Sequence, residues 1–500
     1  MTTVSKSMFP LSGGIRNITN MKETYDKLQT QLATGQKAST LAQMGTDRYF
    51  DLALRQRSAR IEGYQGSIKT VNLRLEVLDT VMSRLDTIES DARAAAASGG
   101  GGSTGANYQT TPTLAASRFD EVLTLMNTDI AGRYMFGGSL TESKPVEDPY
   151  NVLNGIGGRV GFKQAAGERK LADLGTAHMG RTTVTTVTDT VTLAEENVPP
   201  FGMKLSSIAT TSPNITVNSP SGSPPQLSVQ FGATLPVAGD QVSISMTLPD
   251  GSQEQVLLLA TTGTPDAGEF QIGTDADTTA ANFGTALTAS IKQLAEGKMV
   301  AASAFAAADD FFAGQGGTSM RVDGPPFDTA TAMIAGTAAN TVLWYKGEDS
   351  TDPRNTITAK VGEGTTVGYG VQANEGGIVN LLRSLAAVAV QNFPEADPTS
   401  AERFGAMVSR NSSRLADTHD NSSGSIAVIS VELGLAKTTA GAINERHTAH
   451  KAQLGNMLED IESAPTETVA MELLALKTRL EASYQTTAML SQLSLVNYLR

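Results

Sequence analysis

The stretch that decides the fold is ISVELGLAKTTAGAINERHTAHKAQLGNMLEDI, residues 429–461. Steps of four and three residues along it give one seam: Ile429, Leu433, Ala436, Ala440, Ile443, His447, His450, Leu454, Met457 and Ile461. An apolar repeat of 3.5 residues, kept over about four heptads without proline, predicts a long helix that packs lengthwise on other helices. We predict that its partners are the segments 61–85 and 119–130.

Segment 61–85 carries a matching series, which continues without a break over its whole length. With the seam of residues 429–461, it gives the predicted bundle core: Ile61, Tyr64, Ile68, Val71, Leu75, Leu78, Met82, Leu85, Ile429, Leu433, Ile443, Leu454, Met457 and Ile461. Leu73, Val77 and Val81 form a second stripe, and a helix with two stripes touches two neighbours. A third helix is predicted over about 113–130, after the flexible glycine link 98–103.

Both ends of the chain carry one further narrow seam each. The first helix, up to Gly35, and the last helix, after Pro465, pair most simply with each other, although such a thin pair is marginal in water. We predict that these helices form an assembly interface through Ile18, Met21, Tyr25, Leu28, Leu32, Leu473, Leu476, Leu480, Leu495 and Leu499.

The middle of the chain has a different composition, because sixteen of the nineteen prolines lie between Pro145 and Pro398. Alternating threonine and valine predict an exposed strand over 182–192. A hairpin is predicted from 242–248 to 256–259, and a helix follows over 283–294. Further predicted elements are strands at 342–345, 355–361 and 365–371, a helix at 378–390, and a bundle helix that starts near Pro398.

The predicted fold class is mainly α with a β-rich insertion. A long antiparallel, coiled-coil-like helical bundle is formed from both chain ends, beside a small α+β middle domain. The predicted domains are a terminal helix pair (1–40 and 463–500), the bundle with short strands near its edge (41–145 and 340–462), and a variable insertion (146–339).

The composition excludes several classes of function. A net charge of −13 over 500 residues argues against binding nucleic acid or anionic membranes. The absence of cysteine removes disulfides and thiolate metal sites. The N-terminal sequence lacks the apolar core of a secretory signal, and we expect no membrane span and no cleaved signal.

No arrangement of residues predicts catalysis. His447 and His450 are three residues apart on the seam, but without an obvious third ligand they are interpreted as register features rather than a metal site. The acidic pairs Asp309-Asp310 and Glu348-Asp349 are interpreted as solvated faces. Hydrolase, nucleotide and zinc-protease motifs are absent from the sequence, so we expect neither an enzyme nor a cofactor or metal.

Several segments together resemble the flagellin family of bacterial flagella. They are Leu28-Gln-Thr-Gln-Leu-Ala-Thr-Gly35, Gly132-Arg-Tyr-Met-Phe-Gly-Gly138, Trp344-Tyr345-Lys-Gly with Val367-Gly-Tyr-Gly-Val371, Leu480-Glu-Ala-Ser-Tyr484 and Leu493-Ser-Leu-Val-Asn-Tyr-Leu499. The resemblance covers about 1–145 and 340–500. It is stronger to the hook-associated junction branch than to filament flagellins, but segment 39–47 matches neither branch well and leaves that choice open.

The resemblance implies a self-assembling structural subunit that is exported unfolded without a cleaved signal and assembles outside the cell. Its implied partners are further copies of itself, other flagellar axial proteins and, during export, a chaperone. A second class of function stays open on the sequence alone, namely a secreted adhesin whose middle domain binds a ligand at the end of a helical stalk.

Overall fold

A computed structural model describes residues 9–99 and 105–498, with the side chains of 13–95 and 108–489. Contacts divide the chain into two compact units. Unit 1 consists of residues 1–70, 360–366 and 439–500, and unit 2 consists of residues 71–359 and 367–438. The three domains predicted from the sequence stay a prediction.

The helices are named in chain order. They are α1 (Phe9–Thr34), α2 (Asp47–Gly99), α3 (Gly105–Met126), α4 (Pro149–Asn154), α5 (Phe162–Leu174), α6 (Ala276–Leu294), α7 (Val300–Phe311), α8 (Gly376–Ala389), α9 (Ser400–Arg414), α10 (Ile426–Glu462) and α11 (Thr466–Tyr498). A π-helical turn, Ala295–Met299, joins α6 to α7.

The strands are short, and most of them lie in the middle of the chain. They are β1 (Asp129–Ile130), β2 (Arg133–Tyr134), β3 (Thr182–Val187), β4 (Thr190–Glu195), β5 (Lys204–Thr210), β6 (Ile215–Ser221), β7 (Gln226–Phe231), β8 (Gln241–Thr247), β9 (Gln253–Thr261), β10 (Glu269–Gln271), β11 (Met320–Val322), β12 (Met333–Ala335), β13 (Thr358–Gly362) and β14 (Thr365–Gly368). Helices with small, mostly antiparallel sheets agree with the mixed class predicted from the sequence.

Unit 1 contains two antiparallel helix pairs. In the first, Glu62 of α2 lies 2.7 Å from Lys451 of α10, and Gln65 donates a hydrogen bond of 3.1 Å to Thr448. Residue numbers thus increase along α2 while those of the contacted residues decrease along α10, so the two helices are antiparallel. The second pair joins the C-terminal end of α1 to the N-terminal end of α11. A single long bundle drawn from both chain ends stays a prediction.

The side chains of the predicted core are mostly inside. Tyr64 and Ile461 are half-buried, while the buried members are Ile61, Ile68, Val71, Leu75, Leu78, Met82, Leu85, Ile429, Leu433, Ile443 and Leu454. Met457 is 45% exposed, so its assignment to the core is wrong. Beyond Leu454 the contact between α10 and α2 is polar, since Arg55 reaches Glu462 there. Leu73, of the second stripe, is also exposed.

The two seam histidines have different surroundings. The His447 Nε2 atom lies 2.7 Å from the Val361 carbonyl oxygen, and its ring stacks on Tyr64 with the centroids 5.6 Å apart. His450 is exposed. His447 therefore joins α10 to α2 and β13, and His450 does not belong to the buried seam.

In unit 2, α6 forms the centre of the β-rich part. Two four-stranded sheets, in the orders β10-β9-β8-β5 and β3-β4-β7-β6, surround its apolar face. Phe283 on α6 makes edge-on contacts with Phe231 and Phe270, so one helix closes a core between two sheets. The predicted hairpin over 242–259 is confirmed as the antiparallel pair β8–β9.

Several predicted elements of unit 2 differ from the structure. Residues 182–192 form the hairpin β3–β4 rather than one strand, because Thr188 turns the chain with φ +49°. Residues 342–345 make only isolated bridges, and Ile130 lies in β1 beyond the end of α3. The helix placed near Pro398 is two helices, α9 and α10. Helix α3 packs against α8 and joins α2 through the Arg84–Glu121 ion pair.

Helix α10 is the one helix of the described residues that is long and apolar enough to cross a membrane by length and composition. The expectation that no stretch approaches a membrane span is therefore wrong in this respect. A third of its most apolar stretch of 18 residues is buried within the protein. Its two charges, Glu432 and Lys437, lie 3.0 Å from Arg354 and 3.9 Å from Asp79. Both ion pairs are partly exposed, with Glu432 at 46% and Lys437 at 49%.

The interpretation of Asp309-Asp310 as a solvated face is also wrong. Asp309 accepts two hydrogen bonds from the Arg414 guanidinium, at 2.8 and 2.6 Å. Asp310 pairs with Arg169, which is itself buried and also bonds Asp173 at 3.0 Å. Burial raises the pKa of Asp310, and Arg169 opposes that shift. The pair belongs to an ion-pair network between α5, α7 and α9, which sequence periodicity does not reveal.

Candidate assembly surface

The terminal helix pair is held by a small apolar cluster. Leu28 of α1, 8% exposed, packs with Ala464 and Val469, and the partly buried Leu473 and Leu476 cover the cluster from α11. The cluster holds few side chains for two helices of 26 and 33 residues. Because most helical stability in proteins comes from such packing, the pair is thinly stabilised.

Backbone hydrogen bonds connect this pair to the turn between α10 and α11. The Ala464 N–H donates to the Gly35 carbonyl at 2.8 Å, and the Lys37 N–H donates to the Glu462 carbonyl at 2.7 Å. Gly35 ends α1 with φ +70°, a left-handed conformation that glycine adopts without strain. The Lys37 ammonium adds a hydrogen bond of 2.8 Å to the Asp460 carbonyl. These bonds fix where the two helices begin their contact.

A carboxyl pair lies beside this turn. A hydrogen bond between the two carboxyl groups lowers the pKa of Asp51 and raises the pKa of Glu462. Arg55 donates to both, at 3.1 Å to Asp51, and further lowers the pKa of Asp51. Because the two acids interact directly, they titrate as a pair. The start of α2 is thereby bound to the end of α10.

The predicted interface residues fall into three groups. Leu28 and Leu480 are buried, whereas Leu32 is 41% exposed. The half-buried group consists of Ile18, Met21, Tyr25, Leu473 and Leu476. Leu495 and Leu499 lie outside the side chains that the structure describes. The contacts of α1 with α11 are internal to one chain, so the predicted role of these residues between subunits stays a prediction.

Sequence reasoning missed a second seam on α11. Met471, Leu474 and Met489 are 65%, 63% and 61% exposed. Steps of three and four residues connect them through the exposed Thr478, Ala482 and Gln485. At 100° per residue this seam lies opposite the face that packs on α1. The spacing is visible in the sequence, but Thr478, Ala482 and Gln485 interrupt its apolar pattern, so it was not recognised as a seam.

A further apolar group is exposed at the start of α2. The Tyr49 and Phe50 rings meet edge-on with their centroids 5.7 Å apart, and Leu52 is exposed beside them on the chain. Exposed large apolar side chains are ordinary when they are scattered, but grouped ones mark interaction sites. The second seam and this aromatic group both belong to unit 1.

The chemistry of these surfaces suits association rather than catalysis. Within residues 9–99 and 105–498, no group of three or more histidine or acidic side chains could hold a metal ion. What unit 1 offers is exposed methionine, leucine and aromatic surface on long helices. Such surface gains free energy when another apolar face removes it from water.

Comparisons with known proteins give likenesses among solved structures only. No protein-family profile matches the sequence, and no characterised protein sequence matches it. The chain is similar to the crystal structure of flagellar hook associated protein-3 from Legionella pneumophila, at 14% identity and a TM-score of 0.27. The match covers 85% of this chain and 98% of that one.

Proposed function

We propose that this chain is a structural subunit of the bacterial flagellum that polymerises through its N- and C-terminal helices at the hook–filament junction. One observation carries the proposal. Helix α11 has an apolar seam that contacts α1 and, on its opposite face, a second seam whose large apolar side chains are exposed. A helix that exposes Met471, Leu474 and Met489 in the single chain has a face for another subunit.

The magnitude suits a repeated contact. Fully burying one such side chain gains about 1.5–3 kcal/mol. The three side chains are 61–65% exposed, so burying them gains about 3–6 kcal/mol together. Association costs on the order of 4–15 kcal/mol in lost freedom, so one seam alone gives at most a weak contact. A closed ring or a helical polymer repeats the contact in every copy, and multiple contacts per subunit make the assembly stable. In this mechanism, the exposed seam of α11 packs against another subunit during assembly, which completes the packing of the terminal helices.

The flagellar assignment rests on the sequence resemblance. The Gly132–Gly138 motif forms β2 and places Met135 and Phe136 in the interior of unit 2. The same resemblance supports export without a cleaved signal, an extracellular site, and other axial proteins and a chaperone as partners. Filament flagellin is the alternative within the family. Electron microscopy of cells that lack the protein would distinguish the two roles. Bare hooks, together with filament subunits released into the medium, would indicate the junction role.

Point variants test the assembly surface. The full chain carrying both Met471→Glu and Leu474→Glu should stay monomeric under conditions in which the wild type assembles, as measured by analytical ultracentrifugation and electron microscopy. Two single variants with the same chemical change form a matched pair: Thr478→Glu lies on the second seam, and Thr486→Glu lies on its flank. We expect Thr478→Glu to weaken assembly and Thr486→Glu to weaken it less. Full assembly of the double variant would contradict the proposal.

A further inference from the structure

A cavity of about 330 Å³ lies in unit 2. One wall is a face of α5, which places Lys163, Gly167 and Lys170 at steps of four and three residues. Small apolar side chains of α7 form the floor, and the segment after α8 forms the rim. The volume is at the lower end of the range of small-molecule sites, roughly 300–1,000 Å³.

Gly167 keeps the α5 wall open. A Cβ atom built at Gly167 meets nothing within 4 Å, so the space in front of this turn of the helix is free. A glycine in the middle of a helix costs about 1 kcal/mol relative to alanine. The open wall thus lowers the local stability of the helix. A larger side chain at position 167 would extend into the cavity, because no protein atom blocks its Cβ.

The charged side chains that line the cavity are three cations, Lys163, Lys170 and Arg403, and one acid, Asp397. In the described ranges 9–99 and 105–498, neither Lys163 nor Lys170 has a hydrogen-bond or ion-pair partner. The two acids whose charges act on Lys170 have other partners, since Asp397 bonds Arg403 at 3.0 Å and Glu296 lies 3.3 Å from His178. Partial desolvation at the cavity wall lowers the pKa of Lys170 and the charge of Arg403 lowers it further, while Asp397 and Glu296 oppose the shift.

Arg403 forms a fixed end of the site. Its guanidinium is buried and donates to the Asn392 carbonyl at 2.9 Å as well as to Asp397. It also lies over the Phe393 ring, 5.6 Å from the centroid. These contacts connect Arg403 of α9 to the rim segment that follows α8.

One neutral donor completes the lining. The Gln391 side chain is nine-tenths buried, and its Nε2 atom lacks a hydrogen-bond partner among the described residues. An unpaired buried amide donor costs about 1–3 kcal/mol. Its terminal torsion is broad, so rotation of the amide can present Nε2 to an oxygen atom in the cavity.

We propose that this cavity is a binding site for a small organic polyanion that carries two or more carboxylate or phosphate groups. Lys163 and Lys170 are two helical turns apart, about 10 Å along the axis, which favours a ligand with separated anionic groups over a single small ion. Each ammonium takes one group, and the Gln391 amide donates to a ligand oxygen. The site is independent of the assembly proposed above.

Citrate is a suitable probe, titrated into the full chain by isothermal calorimetry against sodium chloride at equal ionic strength. We expect saturable one-to-one binding, weakened about tenfold by Lys163→Gln or Lys170→Gln. Lys292→Gln is the matched control, because Lys292 is an exposed lysine on α6, outside the cavity. Gly167→Leu should abolish binding without changing the charge, since leucine fills the open wall.

A second readout is the Lys170 amine itself, followed by NMR of its side-chain carbon. Citrate should raise the pKa of Lys170, since an anion stabilises the charged form. The proposal is overturned if citrate does not saturate, if Lys292→Gln weakens binding as much as Lys170→Gln, or if Gly167→Leu still binds. All of the substituted lysines are exposed, so near-ultraviolet circular dichroism should show the native fold in each variant.

Discussion

Leu28→Ala should open the pair formed by α1 and α11 while leaving unit 2 intact. Leu28 is the one side chain of α1 in the cluster with Ala464 and Val469. Removing a buried leucine side chain typically costs about 2–5 kcal/mol, and the small cluster has no neighbouring core to compensate. At 1.4 kcal/mol for each factor of ten, a cost of about 2–4 kcal/mol corresponds to roughly 30- to 1,000-fold faster opening-limited amide exchange.

Leu32→Ala is the matched control, because it makes the same chemical change one turn along α1 at a side chain that is 41% exposed. Hydrogen exchange with mass spectrometry on the full chain would compare peptides from α1 and α11 with peptides from β8, β9 and α6. We expect faster exchange in the terminal peptides of Leu28→Ala and a change of less than about threefold for Leu32→Ala. Equal effects of the two variants would refute the assignment of Leu28 as the central contact.

Two further predictions concern unit 2. Gly377→Ala should lower the free energy of unfolding by about 1–3 kcal/mol, because its Cβ would lie 2.6 Å from the Ile426 backbone nitrogen, whereas Gly376→Ala should be tolerated in the same thermal melts. Glu147 is mostly buried, which would raise its pKa, but hydrogen bonds from Lys346, Asn151 and the Asp148 N–H outweigh burial and lower the pKa to about 2. Its stabilisation, of order 3 kcal/mol, is therefore present above the unfolded value of 4.5 and lost as the pH falls toward 2, so urea melts of Glu147→Gln should lack this acid dependence.

The long helices could be predicted from the sequence because their evidence is local and repeated. Ile61, Ile68 and Leu75 recur at heptad spacing, and each is buried in the structure. The pattern fails where contact, rather than periodicity, decides burial. Met457 continues the repeat but lies next to the polar contact of Arg55 with Glu462, so it is exposed.

The middle of the chain was harder to predict, for two physical reasons. Threonine and valine alternate through 182–192 as they would in one strand, and only the positive φ of Thr188 breaks the strand into a hairpin. The pairing of Asp309 with Arg414 and of Asp310 with Arg169 joins residues more than 100 positions apart. From the sequence alone, two adjacent acids are assigned to the surface, because the arginines that neutralise them are distant in the chain.

The candidate surface illustrates how burial in one chain can conceal a functional face. The seam of α11 that the sequence makes obvious, through Val469, Leu473 and Leu480, packs largely against the chain's own α1. Side chains already covered in the single chain gain little from a second subunit, because the free energy follows the area newly removed from water. In the assembly that we propose, the driving force therefore comes from the opposite face, where Met471 and Leu474 are exposed. The inner seam would act indirectly, by holding that face on an ordered helix.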